Sequence, residues 1–160
     1  MKKIIYILIL FSIGTLTLNA QNSSYDFNLL DYNDQTINNQ FFNGKDKSIL
    51  IQNFGQPQSI SKEYWDMDND TAVVYHYKGI VFYIVKNLVY RFTIHGPQYG
   101  FSPYNIKVGE KLDRLQALFP LSFTNRKGNS IFLNIKENDS YVEIDADSNN
   151  LITRIDTGDY

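Results

Sequence analysis

Cysteine is missing from the sequence altogether. The chain therefore has no disulfide, no thiolate nucleophile and no cysteine-held metal, and a lipid-modified N-terminal cysteine is excluded. Histidine is nearly as scarce, with His76 and His95 only. A protein zinc site needs at least three side-chain ligands, and no third stands at local spacing, so no metal and no cofactor is expected. The 9 glycines are scattered and make no phosphate-cradling loop. No serine sits in a G-x-S-x-G turn. These absences predict a protein that is not an enzyme. The acid–base alternative is a weak hydrolase pairing a histidine with Glu143 or Asp156.

Positive charge is also short. The chain has 15 Lys and Arg against 17 Asp and Glu, with no run of five basic residues. Nucleic-acid binding rests on neutralising phosphates, so nucleic acid is not expected as a partner. The acidic stretch DMDND, Asp66 to Asp70, suggests calcium. As a twelve-residue loop, however, it would need Gly at its sixth position and Glu at its twelfth. Thr71 and Tyr77 stand there instead.

The one long apolar run is at the start. MKK precedes IIYILILFSIGTLTL, a run of 15 residues, and a small residue, Ala20, closes it. This is the layout of a secretory signal, and the run is short for a bilayer, which takes about 20 residues. Residues 1–20 are read as a cleaved leader, with an uncleaved anchor as the alternative. Without Lys2 and Lys3 the chain keeps 13 basic and 17 acidic residues, a net charge of −4. The expected location is the periplasm or the exterior, with membrane contact only through a partner.

What the sequence does contain is a near-repetition. NLVYRF, Asn87 to Phe92, returns as NLITRI, Asn150 to Ile155. Gly44 and Gly109 lie 65 residues apart, as do Phe54 and Phe119. A helix is predicted over Lys47–Phe54 and another over Lys111–Phe119, where Leu112, Leu115, Leu118 and Phe119 form one apolar stripe. Gly55 with Pro57, and Pro120, are expected to end them. Three strand-like runs follow each helix: AVVYHY, IVFYIV and NLVYRFTI, then SIFLNI, YVEIDA and NLITRID. The fold class expected is α+β, with two tandem αβββ repeats over 41–100 and 101–160. Residues 21–40 are an N-terminal arm or a lead-in strand.

The stretch IKVGEKLDRLQALFP, Ile106 to Pro120, followed by a meander, resembles the outer-membrane assembly factor BamE (SmpA/OmlA) and β-lactamase inhibitory protein. FNGKDKSILIQNFGQP, Phe42 to Pro57, is the weaker copy. The tandem arrangement is more similar to the inhibitor. The resemblance implies a protein-binding module in an exported compartment. The chain departs from it in lacking the lipoprotein cysteine of the first and the disulfides of the second.

Alternation along strands assigns the faces. Leu88 and Phe92, like Leu151 and Ile155, are expected to face the helices. So are Val73, Tyr75, Tyr77, Phe82, Ile84, Ile131, Leu133, Ile135, Val142 and Ile144. The open face would carry Val74, His76, Tyr83, Arg91, Thr93, His95, Phe132, Tyr141, Glu143, Asp145, Arg154 and Asp156. Tyr and Arg are favoured in interface centres, so Tyr83, Arg91, His95, Tyr141, Glu143 and Arg154 are the candidate partner-binding residues. A plain solvated face is the alternative. For Arg154 the structural alternative is a cross-strand pair with Glu143. Trp65 is expected to cap the core beside the helix; with His76 it is also the candidate for small-ligand or glycan binding. The expected function is an exported, non-catalytic protein-binding module: an inhibitor, an immunity-type protein or an envelope assembly accessory. Its partner would be another exported or envelope protein.

Overall fold

Alternating apolar residues build one large sheet in the computed structural model, which describes residues 27–65 and 70–159. The expected leader, residues 1–20, and Asp66 to Asn69 lie outside the described residues. Chain order begins with short strands β1 (Leu29–Leu30), β2 (Thr36–Ile37) and β3 (Gln40–Phe41). Helix α1 (Ser48–Phe54) follows, then β4 (Ser59–Trp65), β5 (Asp70–Tyr77), β6 (Ile80–Val85) and β7 (Leu88–Ile94). The second half has a 3₁₀ turn (Leu112–Arg114), α2 (Leu115–Leu118), α3 (Pro120–Thr124), β8 (Ser130–Ile135), β9 (Ser140–Ala146) and β10 (Ile152–Asp159). The class is α+β.

The eight-stranded sheet has the order β1-β8-β9-β10-β7-β6-β5-β4. Two antiparallel meanders therefore join through their last strands, and the sheet is continuous. At the join Thr93 lies opposite Asp156 and Ile94 opposite Ile155. Thr93 and Asp156 are themselves 63 residues apart, the spacing of NLVYRF and NLITRI.

Those two hexapeptides make the same structure. Asn87 and Asn150 both have positive φ, 71° and 64°, a conformation asparagine tolerates better than most residues. The Gly44 amide donates to the Val89 carbonyl at 2.7 Å, and the Gly109 amide to the Ile152 carbonyl at 2.7 Å. The Val89 and Ile152 amides donate back to Lys45 and Glu110, each at 2.8 Å. Gly44 and Gly109 have φ of 71° and 90°, where a Cβ is strained. Each strand then bulges at its next residue. Ladder register slips between Tyr83 and Ile84 opposite β7, and between Ile152 and Arg154 on β10. The extra residues are Tyr90 and Thr153.

The bulges overturn one face assignment. A bulge sets two successive residues against one and breaks the alternation. Val89 and Ile152 are consequently the buried members, at 1% exposure each, whereas Leu88 is exposed. Val74, expected outward, is buried as well, at 3%. It sits between Ser61 of β4 and Tyr83 of β6, because β4 extends the sheet past β5. The sequence reading did not include β4. Its SISKEYW alternates apolar and polar only weakly, and all but Trp65 are exposed.

The core lies between the sheet and the helices. Leu50, Leu112, Leu115 and Phe119 meet Phe82, Phe92, Ile94, Ile144 and Ile155 in one cluster that runs through both halves. Helix α1 has 7 residues, too few to be stable alone. Packing holds it: Phe54 meets Phe42, Tyr77, Phe82 and Tyr99 at centroid separations of 5.2 to 5.9 Å. Gly55, at φ 74°, ends it as expected. The second helix is not continuous over Lys111–Phe119. It is a 3₁₀ turn and a four-residue helix, and Pro120 starts α3 rather than ending the helical region. A first-turn proline loses no helical donor. Of residues 21–40, Leu29 and Leu30 form a strand that runs parallel to β8 and covers that edge of the sheet.

Candidate functional site

Among the described residues, two places bring polar and aromatic groups together: the sheet face turned away from the helices, and a cleft where β7 and β10 separate.

On the outer face the β7 bulge leaves Tyr90 and Arg91 both outward. The Arg91 guanidinium lies over the ring of Tyr83 at 4.3 Å and over that of Trp65 at 4.7 Å. Tyr83 is directly opposite Arg91 in the ladder. Trp65 ends β4 and also meets Tyr90, 5.4 Å between centroids. Glu63 completes the cluster by accepting from Trp65 Nε1 at 2.9 Å and standing 3.7 Å from Arg91. Trp65 thus does not cap the core beside the helix. It lies on the other side of the sheet, three strands away from Arg91, where a flat guanidinium can stack on both rings.

The equivalent arginine of β10 has different surroundings. Arg154 pairs with Asp145 at 2.7 Å and with Glu143 at 3.2 Å. This is the cross-strand pair read from the sequence, widened to two carboxylates. Burial pushes the Glu143 carboxyl above its ordinary value, and the Asp145 charge beside it adds to the rise. Burial likewise raises Asp156, against the opposing effects of the Thr93 hydroxyl bonded to it and of the Arg91 charge.

The remaining candidates are spread out. Tyr141 lies on β9 opposite Gly158 and against Phe132, 5.9 Å between centroids. A Cβ at Gly158 would come within 2.9 Å of the Tyr141 ring, so this glycine makes room for the tyrosine. His95 is exposed just past β7. His76 bonds Ser61 Oγ through Nε2 at 2.8 Å. Trp65 is opposite Asp70 and His76 opposite Ser59, so they stand at opposite ends of the β4–β5 ladder, about 20 Å apart at strand rise. The ligand pair proposed from sequence is not assembled.

The cleft has a volume of about 420 Å³, within the range of small-molecule sites. Asn43, Leu88, Arg91, Ser140, Thr157 and Asp159 are among the residues that line it. It lies where the β7–β10 ladder ends, at Thr93 opposite Asp156. The Thr157 hydroxyl takes over there, accepting from the Phe92 amide at 2.9 Å and donating to its carbonyl at 3.2 Å. Beyond it Asp159 accepts from the Ser140 and Tyr90 hydroxyls. Sequence reasoning missed Asn43, Thr157 and Asp159. A threonine and an aspartate late in a strand carry no local signal, and the cleft exists only where two distant strands diverge.

No family model matches the chain, and no curated protein does. Among solved structures the chain is similar to an extracellular protein containing an SCP domain from Bacillus anthracis str. Ames, with TM-score 0.42 and 14% identity. The alignment covers 74% of this chain and 44% of that one. A likeness this distant carries no argument about fold or function.

Proposed function

We propose that the chain is a tandem pair of αβββ units acting as an exported, non-catalytic protein-binding module. The recurrence of the Asn turn, the glycine clamp and the bulge at a fixed spacing supports the duplication. The opposition of Thr93 and Asp156 supports a pseudo-twofold relation between the units. Leader-like residues 1–20 support export to the periplasm or beyond.

The observation that carries the binding reading is the Arg91 guanidinium lying over the rings of both Trp65 and Tyr83, which also meet each other at 6.0 Å. Aromatic and arginine side chains dominate interface energetics because they bury large areas and keep directional bonds. Stacking holds Arg91 in one geometry, so less side-chain freedom is lost on docking. Arg154, held by two carboxylates, is assigned a structural role, and the contact surface centres on the first unit. Tyr83, Arg91 and Trp65 are its anchors, with His95 at the edge and Tyr141, Glu143 and Arg154 on the flank.

The test is cross-linking and capture in the source cells, with the intact protein against its Trp65→Ala, Tyr83→Ala and Arg91→Ala variants. The expected result is one exported partner, with each anchor substitution weakening its capture about tenfold or more. A partner retained equally by all three variants would refute the sheet-face surface.

A further inference from the structure

We propose that the cleft between β7 and β10 is a binding site for an uncharged, polyhydroxylated ring, a pyranose sugar. Two buried polar atoms on its lining residues have no hydrogen-bond partner: Asn43 Oδ1, an acceptor, and Arg91 Nε, a donor. Asn43 as a whole is only 5% exposed, and its amide nitrogen already bonds Gln35 Oε1 at 3.4 Å. Leaving such atoms unpaired costs about 1–3 kcal/mol each. A ligand whose donor and acceptor reach these two buried atoms as the cleft adjusts around it removes both penalties.

Charge selects the chemistry. Asp159, Arg91 and Lys86 line the cleft; Lys86 turns its charge to Asp70 at 3.8 Å, so in the cleft an anion meets the Asp159 carboxylate and a cation meets the Arg91 guanidinium. A neutral hydroxylated molecule meets neither repulsion, and each hydroxyl both donates and accepts. Ser140 and Asn138 add hydroxyl and amide groups to the same wall.

The opposite end of the seam argues that this polarity is specific. On the two-unit reading, Asn43 corresponds to Val108, Ser140 to Ile80 and Thr157 to Ile94. Ile80 and Ile94 are fully buried and face each other in the ladder, and Val108 packs on the core. One end of the seam is closed by hydrocarbon. The other presents polar side chains to a cavity.

The experiment is an NMR titration of the ¹⁵N-labelled protein, observing backbone amides and Arg91 Nε–H. The probes are glucose, N-acetylglucosamine and the β-1,4-linked dimer of the latter. The expected result is a saturable shift of Arg91 Nε–H and of the Gly44 and Gly158 amides with at least one sugar. The sugar that binds tells whether an acetamido group is required. Asn43→Ala should weaken binding about tenfold, the value of one buried hydrogen bond. Leu88→Trp, a substitution at an exposed lining position, should block it without touching the core. No shift with any of the three up to on the order of 10 mM, or shifts that persist in Leu88→Trp, would overturn the proposal. Partner capture uses different variants and a different readout, so either reading can fail alone.

Discussion

The two ends of the β7–β10 seam are built differently. At one end Ile94 faces Ile155 and the ladder is formed by backbone. At the other, Phe92 meets a threonine hydroxyl and the strands part. The lesson is that one strand pair can be closed by apolar packing at one end and left open at the other. The closed joint buries apolar area, whereas the open one keeps its backbone satisfied through a side chain.

Breaking the closed joint should cost most. Ile155→Ala removes a fully buried side chain at the meeting point of the meanders and should lower unfolding free energy by about 2–5 kcal/mol in urea titrations. Thr157→Val keeps the volume at the open end but strands the Phe92 amide and carbonyl. The expected loss is about 1–3 kcal/mol, and a neutral result would show that the hydroxyl bridge is not needed there. Asn87→Ala and Asn150→Ala should each cost about 1–2 kcal/mol, because alanine is strained at positive φ. Similar losses at the two sites would sharpen the comparison by locating the difference in the seam alone.

The smallest effect concerns Asp156, opposite Thr93 where the two meanders join. Burial raises its folded-state pKa. The folded protein therefore holds its proton to higher pH than the unfolded chain does. The associated stability is fully present below the unfolded carboxyl pKa of about 4 and is lost as pH rises through the raised value. Asp156→Asn should raise Tm modestly at pH 7, and the gain should shrink on acidification. Melting curves across that range check the sign.

Much of the fold was legible in the chain. The apolar alternation of SIFLNI, YVEIDA and IVFYIV placed Ile131, Val142, Ile144, Phe82 and Ile84 on the core side, where they lie. Gly55 marked the end of α1. Leu88 was misplaced because a bulge shifts alternation without leaving a residue signature: Tyr90 and Thr153 share nothing but position. The strand β4 was invisible because an exposed edge strand needs no apolar period. Trp65 was assigned to the core because a lone tryptophan usually buries its area, and only the pairing of β4 with β5 reveals its other option. Of the candidate site, Tyr83 and Arg91 could be read from strand phase, whereas their stacking with Trp65 could not.

By itself the sequence determined the strands of the two meanders, the end of α1 at Gly55 and the turn that starts each last strand. These depend on local propensity, alternation and the φ that asparagine and glycine allow, and all of them act over a few residues. The tertiary structure alone decided that the meanders meet at β7 and β10, that Trp65 lies over Arg91, and that Asn43, Ser140 and Asp159 surround one cavity. Those outcomes depend on which distant backbones pair and where pairing stops, and no short window of sequence contains both partners.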